Sequence, residues 1–295
     1  MYRYSATQWI FGKEPLERTC ARLHSAGYDG IELSGEPYGM DIRATQELLS
    51  AYGLSCTSIC GIYTAERDLS SADPGLRQRA VQYVKDCIDL AEEVGAAHVI
   101  VVPSPVGKLA PAAAREEEWS CAVDSLREAG RYAAGRGVRL AVEALNRYET
   151  YLVNRLADAK RLVEEVDVPS VKLMADLFHM NIEERSFEEA LRFIANELIH
   201  VHLADNTREA AGRGQTDFDG IVSTLLQIGY KGPLTMEFLP RVSDPYAASH
   251  RESADEETSG DEDCRFAIAH IRDAVQRAGQ KLKEENTEGG TGDEA

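Results

Sequence analysis

Eight short runs of β-forming residues are spaced along the chain, each followed by a longer segment of helical period, and this alternation limits the possible folds more than any other feature. The runs are YRYSAT (2–7), DGIELS (29–34), LSCTSIC (54–60), HVIVVP (98–103), RLAVEAL (139–145), VKLMAD (171–176), LIHVHLA (198–204) and PLTMEFL (233–239). Between them, in LRQRAVQYVKDCIDLAEEVGA for example, Val81, Val84, Ile88 and Leu90 or Ala91 recur at helical spacing. Gly27, Gly53, Gly95, Gly137 and Gly229 fall at or just past the expected helix ends, where a left-handed cap is required. Eight βα units in series, with buried-looking strands, predict a (β/α)8 TIM barrel. An open doubly wound sheet would be favoured by GxGxxG after the first strand, and no such motif is there.

A chain of 295 residues, 43% hydrophobic, can build this barrel as one domain, expected over residues 1–283 with an acidic flexible tail at 284–295. The net charge of −18 argues against a nucleic-acid backbone or an anionic membrane as partner. Part of the excess lies in RESADEETSGDEDC (251–264) and KEENTEGGTGDEA (283–295), which read as solvated or mobile, the first as a rim segment or oligomer contact. The six cysteines form no CxxC, no signal peptide is recognisable at Met1, and no apolar run approaches the ~18 residues that span a bilayer. Reduced thiols in a cytoplasmic protein are the expectation.

Chemistry in such a barrel gathers at the carboxyl ends of the strands. Those ends carry Glu143 on the fifth strand, Asp176 on the sixth, His202 on the seventh and Glu237 on the eighth. A single acid at a strand end is most often a helix cap or an ion-pair partner. Three carboxylates and one imidazole on four successive strands instead make a mixed oxygen and nitrogen set, suited to one divalent metal: manganese first, cobalt or magnesium as alternatives. Nearby loops hold Arg147, Glu149, His179 and Arg208, each readable as a solvated or locally bonded residue or as part of a site. Glu32 reads as a supporting or structural acid, and one of His200 and His202 as a packing residue. Trp9 is expected to wall the pocket and Trp119 to pack a helix. GRGQTDF (212–218) offers a weak phosphate-cradle pattern, with an N-cap at Thr216 or Asp217 the plainer reading.

The segments EALNRYET, DLFHMNIEE, HVHLADNTR and MEF, in that order, resemble the xylose-isomerase-like barrels, and within them the D-tagatose or D-psicose (allulose) 3-epimerases. The separations of 33 (143 to 176), 26 (176 to 202) and 35 (202 to 237) are similar too. The resemblance implies that Glu143, Asp176, His202 and Glu237 bind one divalent metal, usually manganese or cobalt. It also implies that Glu149, His179 and Arg208 contact the substrate, and that Glu143 and Glu237 are the catalytic pair. The implied reaction is C3 epimerisation of a ketose by proton abstraction through a metal-stabilised enediolate. A homo-oligomer and a small carbohydrate substrate are implied as well.

After the fourth strand the chain reads VVPSPVGKLAPAAAREEEW, without the aromatic-rich segment of the ketose 3-epimerases. The same metal set also occurs in lyases: inosose dehydratases, and the C-glycoside deglycosidase subunit that acts on 3-oxo-glucosides beside a small partner subunit. An endonuclease IV type barrel would call for a three-metal cluster and more histidines than the seven present, and a −18 chain offers no DNA-binding face.

Overall fold

The eight apolar runs become eight parallel strands that close on themselves in chain order, the first pairing with both the second and the eighth. A computed structural model describes residues 2–239 and 257–289. The strands are β1 (Tyr4–Thr7), β2 (Gly30–Gly35), β3 (Ser55–Gly61), β4 (His98–Val101), β5 (Arg139–Val142), β6 (Val171–Asp176), β7 (Leu198–Leu203) and β8 (Leu234–Met236). Several are shorter than the runs that predict them, because the residues beyond bend away to form the rim. Glu143 and Glu237 each fall one residue past their strand. Both backbones stay anchored, since the Glu143 N–H donates to the Val101 carbonyl at 3.0 Å and that of Glu237 to Leu203 at 3.0 Å.

The outer layer comprises α1 (Leu16–Ala26), α2 (Ile42–Ala51), α3 (Pro74–Val94), α4 (Arg115–Gly135), α5 (Leu156–Val166), the short α6 (Leu177–Glu183) and α7 (Phe187–Phe193), α8 (Phe218–Gln227), and α9 (Glu257–Gly289). In α3, Pro74 opens the first turn and the Asp73 carboxylate accepts the Gly75 and Leu76 N–H groups. Its buried stripe includes Val81, Val84 and Ile88, each contributing roughly 1.5–3 kcal/mol by leaving water. All five glycines expected at helix ends have positive φ. Trp119 packs on α4 and its indole N–H donates to Glu165 at 2.7 Å.

The acidic stretch expected to be solvated behaves differently where it is described. Residues 251–256 lie outside the described residues, but from Glu257 onward it forms the start of α9. There Asp261 pairs with Arg22 at 2.6 Å and Cys264 is buried. Partner charges on the barrel surface and an apolar face on the helix hold what composition alone reads as loose. The boundary expected at 283/284 falls within α9, and residues 290–295 lie outside the described residues.

Two apolar clusters form. The larger lies between strands and helices; the smaller fills part of the lumen with Cys60, Ile100, Ala141 and Met174, flanked by Trp9 and Ile199. The rest of the lumen is polar. Thr57 donates its hydroxyl to Ser5 at 3.0 Å, and because β3 and β1 are not neighbours that contact crosses the interior. The six cysteines are free thiols, and among the described residues no helix is long and apolar enough to cross a membrane.

Candidate active site

Asp176 ends β6 and opens α6 at once. Its Oδ1 accepts the Phe178 N–H at 2.7 Å and the His179 N–H at 3.2 Å, a helix N-cap, while Oδ2 faces the barrel axis. The cap reading and the site reading thus hold for one side chain, one oxygen each. His179, expected in a loop, sits in the first turn of α6 because of that cap, and is buried.

Glu143, Asp176, His202 and Glu237 are all buried, and each offers one ligand atom, with the four atoms all within 4.8 Å of one another. The residues that sequence reasoning placed on four strand ends therefore meet at one point. His202 faces Asp176 across the β6–β7 pair. Its Nε2 lies 2.9 Å from Glu32 Oε1, which accepts that N–H and leaves Nδ1 as a lone pair. Nδ1 is 3.0 Å from Glu237 Oε2 and 3.7 Å from Asp176 Oδ2, yet makes no hydrogen bond of ordinary geometry among the described residues. A buried lone pair aimed at carboxylates calls for a cation between them.

The electrostatics show protons favoured where a cation would otherwise sit. Burial, then the neighbouring Glu237, pushes the Glu143 carboxyl well above the usual carboxylate range, and burial also raises Glu237. Burial would raise Asp176 too, but Arg208 and His179 outweigh it and hold that carboxyl well below its ordinary range. His202 is pushed well above the usual imidazole range: burial opposes this, and the Glu237 and Glu32 carboxylates win. Arg208 donates to Asp176 Oδ2 at 3.1 Å and to Glu237 Oε2 at 2.9 Å, and its guanidinium lies over the Phe178 ring. A bound cation would displace those protons, and the three carboxylates, ionised as ligands, would then carry two negative charges beyond the Arg208 guanidinium, the complement of one divalent ion. The oxygen-rich donor set with one imidazole fits such an ion.

Of the other expected site residues, His179 approaches Glu143 and Asp176 through Nε2, at 3.9 and 3.8 Å, and Glu149 through Nδ1 at 3.9 Å. Arg147 is turned outward, clamped to Glu183 by Nε at 2.9 Å and Nη2 at 2.7 Å, so it bolts the rim rather than entering the site. Asn146 is the residue that sequence reasoning missed. Buried between them, its backbone N–H (3.2 Å) and side-chain amide (2.8 Å) both reach His179 Nδ1, and the amide also donates to Glu149 at 2.8 Å. Nδ1 is therefore an acceptor and Nε2–H points at the cluster. Nothing in the letters distinguishes this Asn from an ordinary turn residue.

Arg208 reaches the site from a backbone with φ of 65°, a left-handed conformation that costs a non-glycine residue about 1–3 kcal/mol. The loop that imposes it is built around Asp205, which is fully buried and accepts N–H groups from Asn206, Gly212 and Thr216 at 2.9, 2.8 and 3.1 Å. Those amides face inward, so the phosphate-cradle pattern of GRGQTDF is spent on a carboxylate of the same chain; the N-cap there is Asp217. The Asp205 carboxyl is lowered: burial opposes this, but the amides of Gly214, Thr216 and Asn206 outweigh it. Asp205→Ala is expected to cost roughly 2–4 kcal/mol in urea unfolding, since it orphans buried amides. For Asp205→Asn the deficit should narrow as pH falls through the native-state pKa. The lowered pKa means the stabilisation is fully present above the unfolded carboxylate value and is lost as pH falls from there through the lower native-state value.

With the geometry established, three comparisons bear on it. The family described as xylose isomerase-like TIM barrel matches residues 20–257. The chain is similar to a D-psicose 3-epimerase of Ruminiclostridium cellulolyticum, 32% identical over 244 residues, covering 80% of this chain and 81% of that protein. It is also similar to a 3-dehydro-D-guloside 4-epimerase of Escherichia coli, 33% identical over 245 residues, covering 78% and 89%. A solved structure of an L-ribulose 3-epimerase superposes with a TM-score of 0.86 at 27% identity, covering 96% of this chain and 97% of that one.

Proposed function

The chain belongs to the xylose isomerase-like TIM barrel family, and from that premise we propose that it is a divalent-metal-dependent epimerase inverting C3 of a ketose. The observation that carries the reading is the pair of buried carboxylates, Glu143 and Glu237, three strands apart around one rim with Asp176 and His202 between them. Epimerisation next to a carbonyl needs a base on one face of the carbon and an acid on the other. Glu143 and Glu237 are placed to flank a small sugar, one removing the proton and the other returning one to the opposite face.

Glu143, Asp176, His202 and Glu237 would hold the metal, manganese being the ion of first choice; when bound, it would stabilise negative charge on vicinal sugar oxygens. His179 presents Nε2–H and Arg208 its guanidinium toward the same space, fit to hold the carbonyl-side oxygens, and Glu149 can accept from a hydroxyl. Raised carboxyl pKa values suit groups that must exchange a proton near neutral pH.

A second substrate class has a specific support: the Escherichia coli relative is named for a 3-dehydro-guloside, a carbonyl-bearing glycoside, and acts at C4. The test is manganese-loaded protein in deuterated water, with a panel of ketohexoses, ketopentoses and 3-oxo-glycosides followed by NMR. Deuterium at C3 of a ketose together with its epimer is the expected result. Deuterium at C4 of an oxo-glycoside would move the reading to that class. Release of water or an aglycone without an epimer would make the protein a lyase, and no exchange with any substrate would overturn the proton-transfer reading.

A further inference from the structure

Behind the cluster a second set of buried side chains runs away from the rim through the lumen. His98 opens β4, His200 lies two residues before His202 on β7, and Glu32 is on β2; none exceeds 1% exposure. His98 Nε2 is 2.8 Å from His200 Nδ1, His200 Nε2 is 2.9 Å from Glu32 Oε2, and Glu32 Oε1 is 2.9 Å from His202 Nε2. The Ser58 hydroxyl donates to Glu32 Oε2 at 2.5 Å.

With every imidazole neutral, one arrangement of protons fits these distances. Glu32 can only accept, so both His200 and His202 turn an Nε2–H toward it. His200 Nδ1 is then an acceptor, and His98 must donate from Nε2. The His200 Nε2–H is held to Glu32 by charge at 2.9 Å rather than by a hydrogen bond of ordinary geometry, and His98 Nδ1, at the far end of the line, has no hydrogen-bond partner among the described residues. An unpaired acceptor is the cheaper end to leave, since a buried N–H without an acceptor is the rarer defect. Every link points toward Glu32, and the last places the His202 lone pair on the cluster.

We propose that His98 and His200 are positioning residues for the metal centre, acting through Glu32 to hold His202 in the Nδ1-ligating tautomer. The inference rests on the metal-site reading given above. A core built only for packing would fill these positions with aliphatic side chains, as the lumen does beside them with Ile100, Ala141 and Met174. Instead it carries two imidazoles in series, His98 against His200 and His200 against the Glu32 carboxylate.

The experiment is Mn²⁺ binding to metal-stripped protein by electron paramagnetic resonance, with fold checked by circular dichroism. Wild type and Asp176→Ala come first: stoichiometric binding by the former and its loss in the latter establish the metal reading, and failure of either overturns that reading and this one with it. Given both, His98→Leu and His200→Leu should bind Mn²⁺ about 10-fold to 100-fold more weakly, the usual effect of removing a group that orients a ligand. His98→Gln, whose amide can replace the Nε2–H, should recover most of that loss. Wild-type affinity in both folded Leu variants, or no recovery in the Gln variant, would reduce the line to core structure. If the Leu variants do not fold, imidazole ¹⁵N NMR of the metal-stripped wild type decides: Nε2–H tautomers at His98 and His200 are expected, and an Nδ1–H tautomer at His200 would overturn the proposal.

Discussion

Glu143→Gln and Glu237→Gln are each expected to lower turnover by about 10³-fold or more while leaving the barrel folded. Removal of a positioned general acid or base costs on the order of 10²–10⁴, and each change also replaces a carboxylate ligand by a neutral amide. The amide keeps the shape of the side chain, and the backbone anchors to Val101 and Leu203 do not involve it, so the melting transition should survive. The two variants should differ in one respect. If the carboxylates serve opposite faces, each variant keeps the base for only one epimer, so residual solvent deuterium exchange should be confined to a different epimer in each. Rates within tenfold of wild type in both variants would sink the two-carboxylate mechanism. Exchange of the same epimer in both would show that one glutamate alone moves the proton.

Chelation should abolish turnover and destabilise the fold, with manganese restoring both. A site that binds only the native chain adds about 4 kcal/mol at a thousand-fold excess over its dissociation constant, worth roughly 8 °C in melting temperature for a chain of this size or somewhat smaller. Asp176 separates the metal's part from the helix's part. In Asp176→Asn the amide oxygen can still cap α6 through the Oδ1 position, so helix and His179 stay in place, while the lost charge should weaken metal binding about 100-fold or more. Asp176→Ala removes the cap as well, adding about 1 kcal/mol of destabilisation independent of metal. Elemental analysis and melts with and without manganese read the two effects separately; full metal occupancy in both variants would remove Asp176 from the site.

Much of this molecule can be read from local sequence. The repeated strand and helix periods specify the barrel because side-chain alternation and helical spacing are properties of a few consecutive residues. Metal-ligand types at four successive strand ends point to a site because parallel strands deliver their ends to one rim. Less legible were the small decisions around it. Asp176 caps a helix that begins on the next residue, Arg147 is drawn away by Glu183, and the glycine-rich loop turns its amides onto Asp205. Each depends on a partner that local pattern does not reveal.

Residue type and spacing determined the closed barrel and nominated the four side chains that meet. Only the tertiary structure decided what stands behind them. Glu32 and His202 are 170 positions apart and touch because the barrel closes. Two register shifts, at Ile31/Glu32 against β3 and at Leu173/Met174 against β7, bring Glu32 opposite Ser58 and His200 opposite Met174. A slip of one residue sends a strand's side chains to the other face, so such a shift decides whether an acid supports a histidine inside the lumen or meets a helix outside it. Strand periodicity is written along the chain; register is settled between strands.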